Sequence, residues 1–134
     1  MPVRLRAMIL SAVLVLSLAP VRAAGPSFPV ETLWVAESLG GTAFASVSRP
    51  TLRIGRDGRA GGSAGCNRYM GKVEIAGPAL TVGPLAMTRM ACFGAGGDNE
   101  RRFAQAMSRA SRWSLVRRQL VIETPDGPLV FRRR

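Results

Sequence analysis

Apolar and polar residues alternate with a period of two through most of this chain, and the period lengthens only once. The clearest case is the stretch around Val73. Tyr69, Gly71, Val73 and Ile75 fall on one face, and Arg68, Met70, Lys72 and Glu74 on the other. That is the pattern of a half-buried antiparallel strand. Shorter runs predict strands over 30–35, 51–54, 60–64, 79–82, 113–117, 120–123 and 129–131. Turn chemistry separates them. Asp57-Gly58 is a strong hairpin signal. Ala76-Gly77-Pro78 and Arg117-Arg118-Gln119 turn the next two pairs. Pro125-Asp126-Gly127 adds a proline that sets φ and a glycine that supplies a positive one. Residues 85–92 read as one further extended segment. Residues 38–48, rich in Gly, Ser and Ala, read as a loop with Phe44 turned inward.

The longer period lies between 99 and 111. Phe103, Met107 and Ala110 recur at spacings of four and three, with Ala106 on the same side, so they line one face of a helix. Arg101, Arg102, Gln105 and Ser108 would face water. Asp98 is placed as the N-cap, because its carboxylate can accept orphan backbone N–H bonds. Glu100 then suits the first turn, and Arg109 and Arg112 suit the negative end of the dipole. About eight short strands joined by hairpin turns imply an antiparallel sheet. One narrow apolar helix face must pack on it, or plug its end if it curls. The fold class is α+β: a curved or partly barrel-like antiparallel sheet of about eight short strands with one helix packed on it.

The start of the chain does not fit that pattern. Arg4 and Arg6 precede an apolar run over 7–18, about a dozen residues, where a bilayer span takes roughly 20. Val21-Arg22-Ala23 supplies small residues of the kind a signal peptidase reads. Residues 1–23 therefore read as a secretory signal peptide, cut near Ala23. Residues 24–32 follow as a linker with little to bury, and the domain covers 33–132. No cysteine stands near the cut, so no lipid attachment is expected. The expected product is a periplasmic monomer with no transmembrane segment.

Charge narrows the partners. The chain has a formal net charge of +11, and the leader would remove three arginines of it. Lys72 is the sole lysine. Such a surface attracts anionic partners. Export argues against nucleic acid, which leaves an envelope protein, or an anionic or hydrophobic envelope ligand. Apart from Arg132-Arg133-Arg134, the arginines are scattered.

Little in the sequence can do chemistry. There is no histidine, which removes the commonest general base and metal ligand. Two cysteines do not make a structural zinc site, which wants four ligands. The acids are claimed by turns and by the helix start, or stand alone. The glycine-rich run 61–65 lacks the Lys-Ser ending of a phosphate loop. No catalytic residue, cofactor or metal is expected, and the protein is read as non-enzymatic.

Cys66 and Cys92 have three readings: a structural disulfide, two buried free thiols, or a redox pair. An oxidising compartment favours the first. Redox cysteines usually stand two apart, as these do not. A disulfide closing this loop would contribute roughly 3–4 kcal/mol. Asn67 is suited to a sharp turn. Tyr69 can bury its ring while its hydroxyl stays bonded. Arg68 reads as surface charge. Arg89, in a mostly apolar stretch, is expected to pair with a buried acceptor.

These segments together resemble the META/HslJ-like domain family. The likeness rests on Gly65-Cys66-Asn67-Arg68-Tyr69-Met70-Gly71, the 80–83 segment, Met87-Thr88-Arg89-Met90-Ala91-Cys92, and Glu100 with Phe103. Trp34 near the start and the closing 120–131 strands are similar to the family's ends. The resemblance implies a small α+β domain of bacterial envelopes, loosely linked to heat-shock and antibiotic tolerance, with no established ligand, cofactor or activity. It makes Gly65, Asn67, Arg68, Tyr69, Gly71, Thr88, Arg89, Met90 and Ala91 its structural motif. Family members are often lipoproteins, and this chain departs in lacking the lipid-attachment cysteine.

The leading functional expectation is a periplasmic binding or envelope-stress module, with an exposed groove beside the glycine-rich strand meeting the partner. A second is a carrier of a lipid or hydrophobic peptide, in a slot between sheet and helix lined by Met70, Met87, Met90 and Met107. A third, an inhibitor of a cell-wall hydrolase, suffers from basic meeting basic.

Overall fold

A computed structural model of the chain describes residues 17–134. Most of the expected signal peptide, including all but the last two residues of its apolar run, lies outside the described residues. The elements in chain order are β1 (Trp34–Leu39), β2 (Thr42–Ala43), β3 (Thr51–Ile54), β4 (Arg59–Ser63), β5 (Arg68–Ala76), β6 (Ala79–Val82) and β7 (Ala86–Met87). There follow α1 (Gly94–Ser108), β8 (Arg112–Val116), β9 (Gln119–Thr124) and β10 (Gly127–Arg133).

The eight strands read from alternation are all present. The two additions, β2 and β7, are two residues long, too short for a period to show. β1 is shifted from its expected place. Glu31 sits at φ 62 and turns the chain before the strand. The strand then runs into the stretch read as a loop. There Gly40 and Gly41, at φ 57 and 83, form a two-residue hairpin between the paired Leu39 and Thr42, the geometry that favours two positive φ values. Phe44 is buried as expected, with the Arg102 guanidinium 4.6 Å above its ring. The 24–32 segment is more than a linker, because Phe28 is buried and packs edge-on against Trp113, their ring centroids 5.1 Å apart.

All strand pairings are antiparallel, in the order β10-β9-β8-β6-β5-β4-β3-β1-β2, with β1 also pairing β10 and β7 pairing β5. The pairings thus return on themselves. The circuit is thin at one point, since β6 meets β8 through the single pair Ala79↔Arg112. The architecture is a ten-stranded antiparallel sheet with one helix.

The core lies between the sheet's inner face and α1. Leu52, Leu80, Leu120, Ile122, Leu129 and Phe131 come from inward positions on four strands, and Phe103, Ala106 and Met107 come from the helix. Phe103 meets Tyr69 at 5.3 Å and Phe131 at 6.3 Å between centroids. The helical face read from the sequence is therefore the face that packs.

The helix ends are not where the sequence placed them. α1 begins at Gly94, with Phe93 as N-cap and no side-chain cap bond. Asp98 is not the cap: it lies inside the helix and pairs with Arg101. Glu100 lies beyond the first turn. The reason is tertiary. The disulfide ends at Cys92, and the helix starts immediately after it through residues of poor intrinsic propensity, an override that packing can impose. Gly97 illustrates the gain: a Cβ there would stand 2.7 Å from the Cys92 carbonyl oxygen. Arg109 closes the helix as C-cap and pairs with Asp126 at 2.6 Å. Arg112 belongs to β8, where it approaches Glu123. Arg102 does not simply face water, since it also donates to the carbonyls of Thr42 and Ala43.

Candidate functional site

The motif residues converge on a buried asparagine. Cys66 and Cys92 are joined in a disulfide, with Cα atoms 6.0 Å apart across a sequence separation of 26. The free-thiol reading is thereby set aside. Asn67, next to Cys66, is only 4% exposed. Its Oδ1 accepts from the Met90 N–H at 2.7 Å and the Thr88 hydroxyl at 3.0 Å. Its Nδ2 donates to the Met90 carbonyl at 3.2 Å and to Glu100 Oε2 at 3.1 Å. Its backbone N–H donates to Glu100 Oε1 at 2.6 Å. One side chain thus ties the start of β5, the 88–92 segment and α1 together. Glu100 serves this knot and not the helix dipole.

Gly65 makes the approach possible. At φ +130, its missing Cβ would lie 2.7 Å from the Gly96 carbonyl oxygen and 2.9 Å from the Glu100 nitrogen. Gly71 does the same for another segment, since a Cβ there would stand 2.7 Å from a Leu85 methyl. Tyr69 is buried, its hydroxyl donates to the Thr51 carbonyl at 2.7 Å, and burial pushes its phenol well above the ordinary range. It stays neutral across physiological pH and acts as a strut between β5 and β3.

The motif residues do not all work through side chains. Thr88 uses its hydroxyl and its backbone, which bonds the Arg68 carbonyl at 3.0 Å. Met90 works through its backbone alone, with its side chain exposed. Arg89 and Ala91 are exposed. Arg89 makes no hydrogen bond or ion pair among the described residues, so the expected buried acceptor is not there. The segment meets the fold through its backbone, the Thr88 hydroxyl and the Cys92 sulfur, and the side chains of residues 89–91 are left exposed.

Beside this knot runs an open groove of about 1240 Å³. It lies over β4, the glycine-rich strand, with Leu33 and Thr51 on one side and Met70, Ala86 and Thr88 on the other. In the β4 register Gly61 faces Arg53 and Met70, so the floor at its centre carries no side chain. Two glycines make this floor for different reasons. Gly62, at φ +153, is needed because a Cβ would stand 2.4 Å from the Thr51 carbonyl oxygen. Gly61 has no such need, since a Cβ there would meet only the Tyr69 carbonyl oxygen, at 3.5 Å.

The rim is arginine. Arg53 is neutralised by Glu31 at 2.5 Å. That bond, with a second from the Arg56 N–H, holds the Glu31 carboxyl below its usual range. Asp57 caps its own turn by accepting from the Arg59 N–H at 3.1 Å. Arg56, Arg59, Arg68 and Arg134 also line the groove, are exposed, and have no carboxylate partner among the described residues.

The expected slot between sheet and helix is filled. Phe103, Ala106 and Met107 have no exposed surface. Of the four methionines placed in that slot, Met107 is core, Met87 is packed against the core, and Met70 and Met90 are exposed outside it. The sequence missed Arg56, Arg59 and Arg134 as groove residues, and Asn99. Asn99 is buried in α1 and its amide binds the backbone of Ala45, Val47 and Ser48. Only the polar residue on an otherwise apolar helix face could have flagged Asn99. No helix among the described residues is long and apolar enough to cross a membrane.

Comparison with known proteins places this architecture. Two structures solved by NMR resemble it. One, from Burkholderia xenovorans, shares 29% identity at a TM-score of 0.64, covering 89% of this chain and 99% of its own. The other shares 27% identity at a TM-score of 0.61, covering 75% of this chain and 87% of its own. No curated protein matches the chain. The family model described as META domain matches residues 29–134, which contain the disulfide, the Asn67 knot and the groove. The chain belongs to the META domain family.

Proposed function

We propose that the protein is a non-enzymatic binding module of the bacterial envelope, exported to the periplasm, whose partner sits in the groove along β4. The observation that carries this reading is the groove itself: a recess with a bare glycine floor, lined by the five arginines Arg53, Arg56, Arg59, Arg68 and Arg134 against the two carboxylates Glu31 and Asp57. An excess of guanidiniums over carboxylates around a recess favours an anionic partner. Several facts support a binding role over a catalytic one. The chain has no histidine, both sulfurs are spent on the disulfide, and the carboxylates of Glu31, Asp57, Asp98, Glu100 and Asp126 are each engaged in an ion pair or a structural hydrogen bond. The envelope-stress role implied by the family likeness is the setting in which such a module would act.

A carrier of apolar cargo between helix and sheet has no support, because that space is occupied by the core. Any apolar part of a ligand would have to use the groove. The test is capture of components from envelope extract, with analysis of both protein and lipid, by the native protein and by Gly61→Leu. A partner retained by the native protein and lost by the variant is expected. Equal retention by both would remove the groove from the function. Turnover of an envelope substrate by the purified protein would remove the non-enzymatic reading.

A further inference from the structure

Resting on the groove reading above, we propose that the groove's ligand is a single molecule of an anionic amphiphile, with a phosphate headgroup held by the rim arginines and an apolar chain lying along β4.

Three features select this class. The rim offers guanidinium forks, which match phosphate oxygens in a bidentate way that an ammonium cannot. The floor and the far wall are apolar. Gly61 presents bare backbone, Met70 is 56% exposed, and Ala86 and Leu33 complete the surface. A purely ionic ligand would leave that apolar stripe unused. The volume, about 1240 Å³, also exceeds the roughly 300–1,000 Å³ typical of drug-sized ligand sites, so an elongated occupant fits better than a bare ion.

The same features weigh against the other anionic classes. Single-stranded nucleic acid wants aromatic faces on which bases stack, but the groove's one aromatic, Tyr69, has its ring buried in the core. An acidic peptide adding as a strand wants a free sheet edge, and β4 is paired by β3 on one side and β5 on the other.

The experiment is a titration of the purified protein, followed through its backbone amide resonances. Dihexanoyl phosphatidylglycerol, kept below its micelle concentration, is the probe. Dihexanoyl phosphatidylcholine and inorganic phosphate are run beside it. The expected result is saturable shifts centred on Gly61, Gly62, Met70 and Ala86 with the glycerol lipid. Affinity at least tenfold lower is expected for the choline lipid, whose headgroup charge is compensated, and for inorganic phosphate. Arg59→Gln with Arg68→Gln should weaken the glycerol lipid at least tenfold, and Gly61→Leu should abolish the groove shifts.

Equal affinity for the two lipids would overturn the proposal, as would shifts confined to another face, inorganic phosphate binding as tightly as the lipid, or no saturable shift. If no lipid binds yet Gly61→Leu still loses an envelope partner, the ligand class is wrong and the groove reading stands. If that variant also keeps its partner, both fall.

Discussion

Gly61 and Gly65 stand four residues apart in the chain and do opposite work. At Gly65 the backbone is left-handed and a Cβ would stand 2.7 Å from the Gly96 carbonyl oxygen, so only glycine lets α1 close on the start of β5. At Gly61 the nearest atom to a built Cβ is 3.5 Å away, and the strand would accept almost any residue. A glycine inside a strand is destabilising by roughly 0.5–1 kcal/mol against alanine. One glycine therefore serves the fold, and the other gives up a little stability for open surface. The knot around Asn67 and the groove over β4 share Arg68, Tyr69 and Thr88 as neighbours. Changes in the first should cost stability, and changes in the second should cost binding.

The largest expected effect is on the staple. Cys66→Ser should lower stability by roughly 3–4 kcal/mol under oxidising conditions, from the loop-closure entropy restored to the unfolded chain. In excess reductant the variant and the native protein should unfold at nearly the same urea concentration. A loss of the same size in both conditions would mean that packing around the sulfurs matters and the bond does not.

Next comes Asn67→Ala. It leaves Glu100 Oε2, the Met90 N–H and the Met90 carbonyl without their Asn67 partner in a part-buried place, while the backbone N–H of residue 67 keeps its bond to Glu100 Oε1. Unsatisfied buried groups cost about 1–3 kcal/mol each before relaxation and entering water, so a total of about 2–4 kcal/mol is expected in urea unfolding. Asn67→Asp should be at least as harmful, because it sets a second carboxylate against Glu100. A mild loss in both would show that the segment 88–92 is held by the disulfide alone.

Sequence legibility divides along the same line. The knot is legible in part: the sequence favours a disulfide among three readings of the cysteines and a buried ring with a bonded hydroxyl for Tyr69, but it suits Asn67 to a local turn, whereas its amide bonds Thr88, Met90 and Glu100, distant in the chain. Chain order sets Glu100 near a helix start and so makes it a dipole partner, whereas its carboxylate is spent on Asn67 across 33 residues of sequence. The helix start itself was hidden, since Gly94, Gly96 and Gly97 argue locally against helix and are placed there by the disulfide and by close approach. Strand existence was legible because alternation is a local property. β2 is not legible, because two residues are too few to show a period, and β7 shows only as part of the extended 85–92 segment. The groove beside the glycine-rich strand was foreseen as a place. Its rim was not: Arg56, Arg59, Arg68 and Arg134 come from three strands' margins and a strand end, and only the fold brings them to one recess. Arg89 shows the converse, a charge in an apolar stretch that reads as buried and is exposed.

The smallest expected effect on stability separates the two regions most sharply. Gly61→Leu adds a side chain to a position with room for its Cβ and with an outward register between Arg53 and Met70. Leucine restricts the unfolded backbone and favours the strand more than glycine does, worth about 0.5–1 kcal/mol in favour of the folded state. Against that stands a newly exposed apolar side chain, which contributes little. The melting temperature should therefore stay level or rise by a degree or two, while retention of the envelope partner falls away. Thermal unfolding by circular dichroism and the capture assay, run on one preparation, decide the matter. A melting point lowered as much as in Asn67→Ala would show that β4 needs its bare glycine for packing, and the division between a knot that holds the fold and a groove that serves a ligand would fail at its clearest point.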